Sequence, residues 1–154
     1  MEKFESVDQV LDFAIKAEIE ANLFYLDLAS KSENPDIRET LVRFANEEAG
    51  HRVKLESIKH SAARSQKLIP VDKVVDLKIA DYLVDVEPHS DMSYQEIVVL
   101  AMKKEKAAFK LYSDLAAMSK TAELKNTFEF LANEEARHKL RFEIEYDDIV
   151  LKED

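Results

Sequence analysis

The sequence predicts an all-α protein: a four-helix bundle of two duplicated antiparallel helical hairpins joined by one long crossover. Three observations predict it. The 154 residues include one Gly and three Pro, little material for the turns of a many-stranded sheet. The stretch "NEEAGHRVKLE" (Asn46–Glu56) recurs 87 positions later as "NEEARHKLRFE" (Asn133–Glu143). Four long stretches carry apolar residues at helical spacing.

The first helix is expected over about 6–32, opened by a capping box at Ser6-Val-Asp-Gln9. The second, about 34–60, starts where Asn34 can cap and Pro35 can take the first helical position. The third, about 93–119, has its own capping box, Ser93-Tyr-Gln-Glu96, and the fourth, about 121–147, can be capped by Thr121. The links within each pair are very short, which makes each pair an antiparallel hairpin. The two halves align at offset 87 without a gap: "FYLDLA" (Phe24–Ala29) falls on "LYSDLA" (Leu111–Ala116). Two copies are too few for a solenoid and suit a duplicated hairpin.

Between the pairs lies a segment of about 32 residues, longer than an ordinary loop. A helix of about 26 residues is about 39 Å long, and a crossover between parallel helices must span that length. Val74, Val75, Leu77, Ile79, Tyr82 and Leu83 should pack this segment along the bundle. After Tyr146 only a short tail, "DDIVLKED", is expected, and no fifth helix. The whole of 1–154 reads as a single domain.

Composition narrows the function. Charged residues make up 35% and the formal net charge is −10, which argues against nucleic acid or anionic membranes as partners. No apolar run is long enough to span a membrane. The N-terminal residues lack a signal-peptide core, so a cytoplasmic location is expected. The absence of Cys excludes disulfides, thiolate catalysis and cysteine-ligated iron or zinc on this chain.

Each apolar stripe is broken at its middle by a carboxylate. In the first helix Leu11 and Ala14 lead to Glu18, then Ala21, Tyr25 and Leu28. In the third, Val98 and Ala101 lead to Glu105, then Ala108, Tyr112 and Leu115. The second helix runs Ile37, Leu41, Phe44, Glu48, His51, Leu55, Ile58, and the fourth Leu124, Phe128, Leu131, Glu135, His138, Phe142. Glu18 and Glu48 are equidistant from the first turn, as are Glu105 and Glu135 from the second, so each pair should lie level across its hairpin. Pseudo-symmetry would bring all four to one layer. A buried, uncompensated carboxylate costs several kcal/mol, so such a layer calls for cations or protons. Four carboxylates balance two divalent metals, and residues i and i+3 of Glu-x-x-His reach one site. Oxygen and imidazole donors suit iron or manganese, with zinc as a substitute.

These residues resemble the ferritin-like di-iron carboxylate superfamily, in which two helices give a Glu each and two give Glu-x-x-His. The motifs "AxxAExExxxFY" (Ala14–Tyr25) and "AxxxExxAFxLY" (Ala101–Tyr112) are similar to those of its rubrerythrin-related branch, and the resemblance covers nearly the whole chain. It implies two Fe ions per chain, with Glu18 and His51 terminal on one, Glu105 and His138 terminal on the other, and Glu48 and Glu135 bridging. It implies reduction of H2O2, or reaction with O2, in oxidative-stress defence, and a homodimer. Two departures stand out. Ala108 occupies a position where classical rubrerythrins carry a further Glu ligand, with Ala21 its equivalent in the first half. Without Cys the chain has no rubredoxin iron, so an external electron donor such as a rubredoxin is expected.

Alternatives are a ferroxidase, an iron-binding or delivery protein, and a structural bundle whose buried polar layer fixes register. Tyr25 and Tyr112, two turns beyond Glu18 and Glu105 on the same faces, are candidates to bond ligand carboxylates or exchange electrons; the plainer reading is core aromatics. Asp27 and Asp114 are duplicated but read as helix surface, and so do Glu20, Glu47, Glu56 and Glu134. His60 and His89 lack counterparts in the repeat and are not expected to be ligands. Gly50, inside a Glu-x-x-His, could leave room for substrate or a neighbouring helix, although its counterpart is Arg137.

Overall fold

A computed structural model describes residues 3–64, 69–84 and 91–153. Five α-helices are present among them: α1 (Val7–Lys31), α2 (Pro35–Arg64), α3 (Val71–Val75), α4 (Tyr94–Met118) and α5 (Ala122–Glu153), with a 3₁₀ turn at Ile79–Tyr82. No strand occurs among the described residues; Lys3 and Lys78 form a single antiparallel bridge. No described helix is long and apolar enough to cross a membrane. The chain divides into two compact units, Phe4–Leu77 and Lys78–Asp154, the latter joined by the N-terminal residues through Lys3.

The expected caps set the helix starts. Ser6 Oγ accepts the Gln9 N–H at 3.1 Å, but the Gln9 side chain accepts from Glu5 N rather than closing a box on Ser6. Ser93 and Glu96 make the full reciprocal box. Asn34 Oδ1 accepts the N–H groups of Asp36 and Ile37 at 2.9 and 3.3 Å, and Thr121 Oγ1 accepts that of Leu124 at 3.1 Å. Each of these satisfies donors that a helix start leaves without intrahelical partners.

The first unit is the α1–α2 hairpin with α3. The Arg38 guanidinium donates twice to the Ser32 carbonyl, at 3.2 and 2.6 Å, and ties off the turn. Lys59 pairs with Asp12 at 2.6 Å across the open end of the hairpin. The buried residues follow the expected stripes: Leu11, Ala14, Glu18, Tyr25 and Leu28 on α1, and Leu41, Phe44, Glu48, His51 and Leu55 on α2. Ile37, Ile58 and Ala21 are half-buried. Phe4, ahead of α1, is buried edge-on against Phe13.

The second unit is the α4–α5 hairpin with the 3₁₀ turn. Tyr82 is buried and donates its hydroxyl to Asp114 Oδ2 at 2.7 Å, while Lys110 reaches the same oxygen at 3.0 Å. Burial first, and the Asp114 bond second, push the Tyr82 phenol well above its ordinary value. Asp114 is therefore not idle helix surface, whereas its counterpart Asp27 is exposed and, among the described residues, pairs with neighbours on its own helix.

The crossover and the C-terminus differ from expectation. Val74, Ile79 and Tyr82 are buried as expected, but Val75 and Leu83 are 39% and 54% exposed. A five-residue helix and a 3₁₀ turn present only some of their side chains inward, so a continuous apolar reading overcounted. The expected tail after Tyr146 is instead the end of α5. Asp147–Lys152 contains no Gly or Pro, so nothing in it stops the helix.

Gly50 does not mark a close approach. It is exposed, its φ is negative, and an added Cβ would meet nothing within 4 Å. Gly50→Ala should therefore stabilise the protein by about 1 kcal/mol through helix propensity, a rise in Tm of roughly 2–4 °C. Thermal unfolding checks this; a fall in Tm would mean that the Gly50 face is covered in solution.

Candidate metal centre

The ligand candidates fall one helical turn apart because the helices are regular there. On α2, Glu48 and His51 share the buried face; on α5, Glu135 and His138 do the same. Opposite them stand Glu18 on α1 and Glu105 on α4. None of the six is more than 2% exposed.

In the first hairpin His51 Nδ1 lies 3.5 Å from Glu18 Oε2 and 3.4 Å from Glu48 Oε1. The ligand atoms of these three residues lie within 4.8 Å of one another. In the second hairpin His138 Nδ1 lies 3.5 Å from Glu105 Oε1, and Glu105, Glu135 and His138 offer atoms within the same limit. The level placement inferred from equal distance to each turn thus holds within both hairpins.

These spacings fit a cation better than a hydrogen-bond network. A good N–H···O bond is about 2.9 Å long. Two donors at the tetrahedral angle around a metal, each about 2.1 Å from it, are about 3.4 Å apart. Glu18 Oε2, Glu48 Oε1, His51 Nδ1, Glu105 Oε2, Glu135 Oε1 and His138 Nδ1 are buried and make no hydrogen bond, although none of these six residues is without a partner through its other contacts. Each half offers two carboxylates and an imidazole, hard and borderline donors suited to a first-row divalent ion. The residues present therefore fit a metal.

Tyr25 and Tyr112 are both buried. The Tyr25 ring meets Phe44 edge-on at 6.3 Å, and Tyr112 stacks on Phe128 at 6.4 Å. Ala108, like Ala21, is half-buried, with no side chain able to ligate. Glu20 and Glu56 are exposed as expected, but Glu47 and Glu134 are half-buried, and Glu134 pairs with Arg137 at 2.6 Å. His60 is exposed; His89 lies outside the described residues.

One residue near the site was missed from sequence. Asn22, one turn after Glu18, donates its side-chain amide to the Ala45 carbonyl of α2 at 2.7 Å. Its only signal was a break in the duplication: Phe109 stands at the equivalent position.

An all-helical fold with a buried Glu/Glu/His set on each hairpin defines the ferritin-like class. The Rubrerythrin family model matches residues 9–146, and the chain belongs to that family. A solved structure of a hypothetical protein from Pyrococcus furiosus is similar, with 28% identity over 92% of this chain and 89% of that one and a TM-score of 0.70. So is a proposed ferritin-like diiron-carboxylate protein from Thermotoga maritima, with 22% identity over 96% and 98% of the two chains and a TM-score of 0.71. No curated protein matches in sequence.

Proposed function

We propose that the chain is a non-haem di-iron oxidoreductase that reduces hydrogen peroxide, with electrons from an external donor such as a rubredoxin. The observation that carries this reading is the buried Glu/Glu/His set present twice, once on each hairpin. Membership of the rubrerythrin family supports it, as does likeness to a protein proposed to be of the diiron-carboxylate type.

In this reading Glu18, Glu48 and His51 would hold one iron, and Glu105, Glu135 and His138 the other. Bound iron would supply two reducing equivalents, matching H2O2 + 2 H⁺ + 2 e⁻ → 2 H2O. The protein residues do the rest. The four carboxylates offset the charge of two divalent ions. The apolar stripes above and below them, Leu11 and Ala14 with Tyr25 and Leu28 on α1, keep bulk water from the ligands. Tyr25 and Tyr112 place phenols two turns from Glu18 and Glu105, where they can steady carboxylates or pass electrons. The protein would work in the cytoplasm as a homodimer in oxidative-stress defence.

A second reading, a ferroxidase, is favoured by Ala108, where classical rubrerythrins carry a further carboxylate. Rapid mixing of the anaerobic di-ferrous protein with each oxidant separates the two. Oxidation by H2O2 should outrun oxidation by O2, and repeated turnover should require added donor. An O2 rate equal to or above the peroxide rate would favour the ferroxidase. No reaction with either would leave iron binding or a structural layer.

A further inference from the structure

We propose that Asn22 is a positioning residue for the first half-site, so that Glu18, Glu48 and His51 bind a divalent cation more tightly than Glu105, Glu135 and His138. The inference rests on the metal reading above and concerns how unequal the two sets are. All the groups it uses in the first set lie within one hairpin.

A metal held by Glu18 from α1 and by Glu48 and His51 from α2 needs those helices in fixed register. Ligand directions tolerate only about half an ångström of error. Apolar side chains can slide by that much; a directional bond cannot. Asn22 lies four residues after Glu18, on the same side of α1, and Ala45 lies three residues before Glu48. The 2.7 Å bond between them joins the helices one turn from the ligand level. A helical carbonyl has a second lone pair free for such a donor. Beyond the ligands on the other side, Asp12 and Lys59 join the same helices at 2.6 Å. The first set is therefore bracketed by polar ties.

The second hairpin is built differently at the same place. Phe109 replaces Asn22; it carries no donor and is 39% exposed. The polar contacts Tyr94–Glu145 and Gln95–Tyr146, at 3.5 and 3.4 Å, lie at the far end, on the opposite side of the ligands from the turn. The ligands are duplicated, but the bond that fixes the register of the first pair is not.

Titration of the metal-free full chain with Co²⁺, followed by calorimetry and the visible cobalt spectrum, tests this. The wild type should show two unequal binding events. Asn22→Leu, close in shape but without the donor, should weaken the tighter event about five- to tenfold and leave the weaker one in place. The spectrum of the first cobalt equivalent should change with it. Phe109→Leu, the matching change in the second hairpin, should move neither. Should Asn22→Leu not fold, Asn22→Ser, too short to reach Ala45, is expected to give the same split. Equal affinities in the wild type, or both events weakened alike, would overturn the inference while leaving two metals bound. No cobalt binding by the wild type would instead refute the metal reading itself.

Discussion

Replacing Glu48 and Glu135 together by Gln is expected to abolish metal binding and to stabilise the metal-free protein by one to a few kcal/mol. Each of these side chains is 1% exposed, and each shares its buried pocket with a second carboxylate and a histidine of its own hairpin. Without a cation, a buried carboxylate beside a second one has nothing to offset its lost hydration, which costs stability. Gln keeps the shape and one acceptor oxygen while removing the charge. The amide nitrogen cannot ligate, so each hairpin loses an anionic ligand. The signs for the apo and metal-bound states therefore oppose each other. A purely structural polar layer predicts otherwise: the same change would break its contacts with His51 and His138 and destabilise the protein. Denaturant unfolding of both apo proteins, with metal analysis of the loaded ones, decides. A double variant that is less stable when apo and still binds two metals would sink the ligand assignment.

The candidate ligands were legible in the sequence because duplication writes them twice. Glu18 and Glu105, Glu48 and Glu135, and His51 and His138 each share offset 87, and a buried carboxylate in an apolar stripe has few explanations. The helix starts were legible through Ser6, Asn34, Ser93 and Thr121, whose side chains cap as local chemistry requires. What the sequence hid was whatever breaks the duplication or lies outside periodic segments. Asn22 looks like one more polar residue on a helix until its bond to Ala45 is seen. Asp114 looks like its twin Asp27, yet only Asp114 receives the Tyr82 hydroxyl, from a segment with no helical period to read. Val75 and Leu83 were placed inward because they are apolar, but apolar residues are common on surfaces.

Divalent metal is expected to bind at two ions per chain and to raise Tm by roughly 10–20 °C. Any ligand that binds the folded state alone stabilises it by mass action, about 2.7 kcal/mol for a site at a hundredfold excess over its Kd. Two such sites give about 5 kcal/mol, and for a chain of this size each kcal/mol moves Tm by roughly 2–4 °C. The unfolded chain offers no competing site of similar quality, because Glu18 and Glu48 are 30 residues apart in sequence and meet only in the folded hairpin. The shift should therefore depend on metal concentration and vanish with a chelator. It should also be absent in the Glu48→Gln, Glu135→Gln double variant, which shows that the gain comes from these ligands and not from surface carboxylates. Elemental analysis at saturation, together with thermal unfolding across a metal series, measures both quantities. One ion or fewer on correctly folded protein would break the dinuclear reading, and two ions with no rise in Tm would place them outside the buried layer.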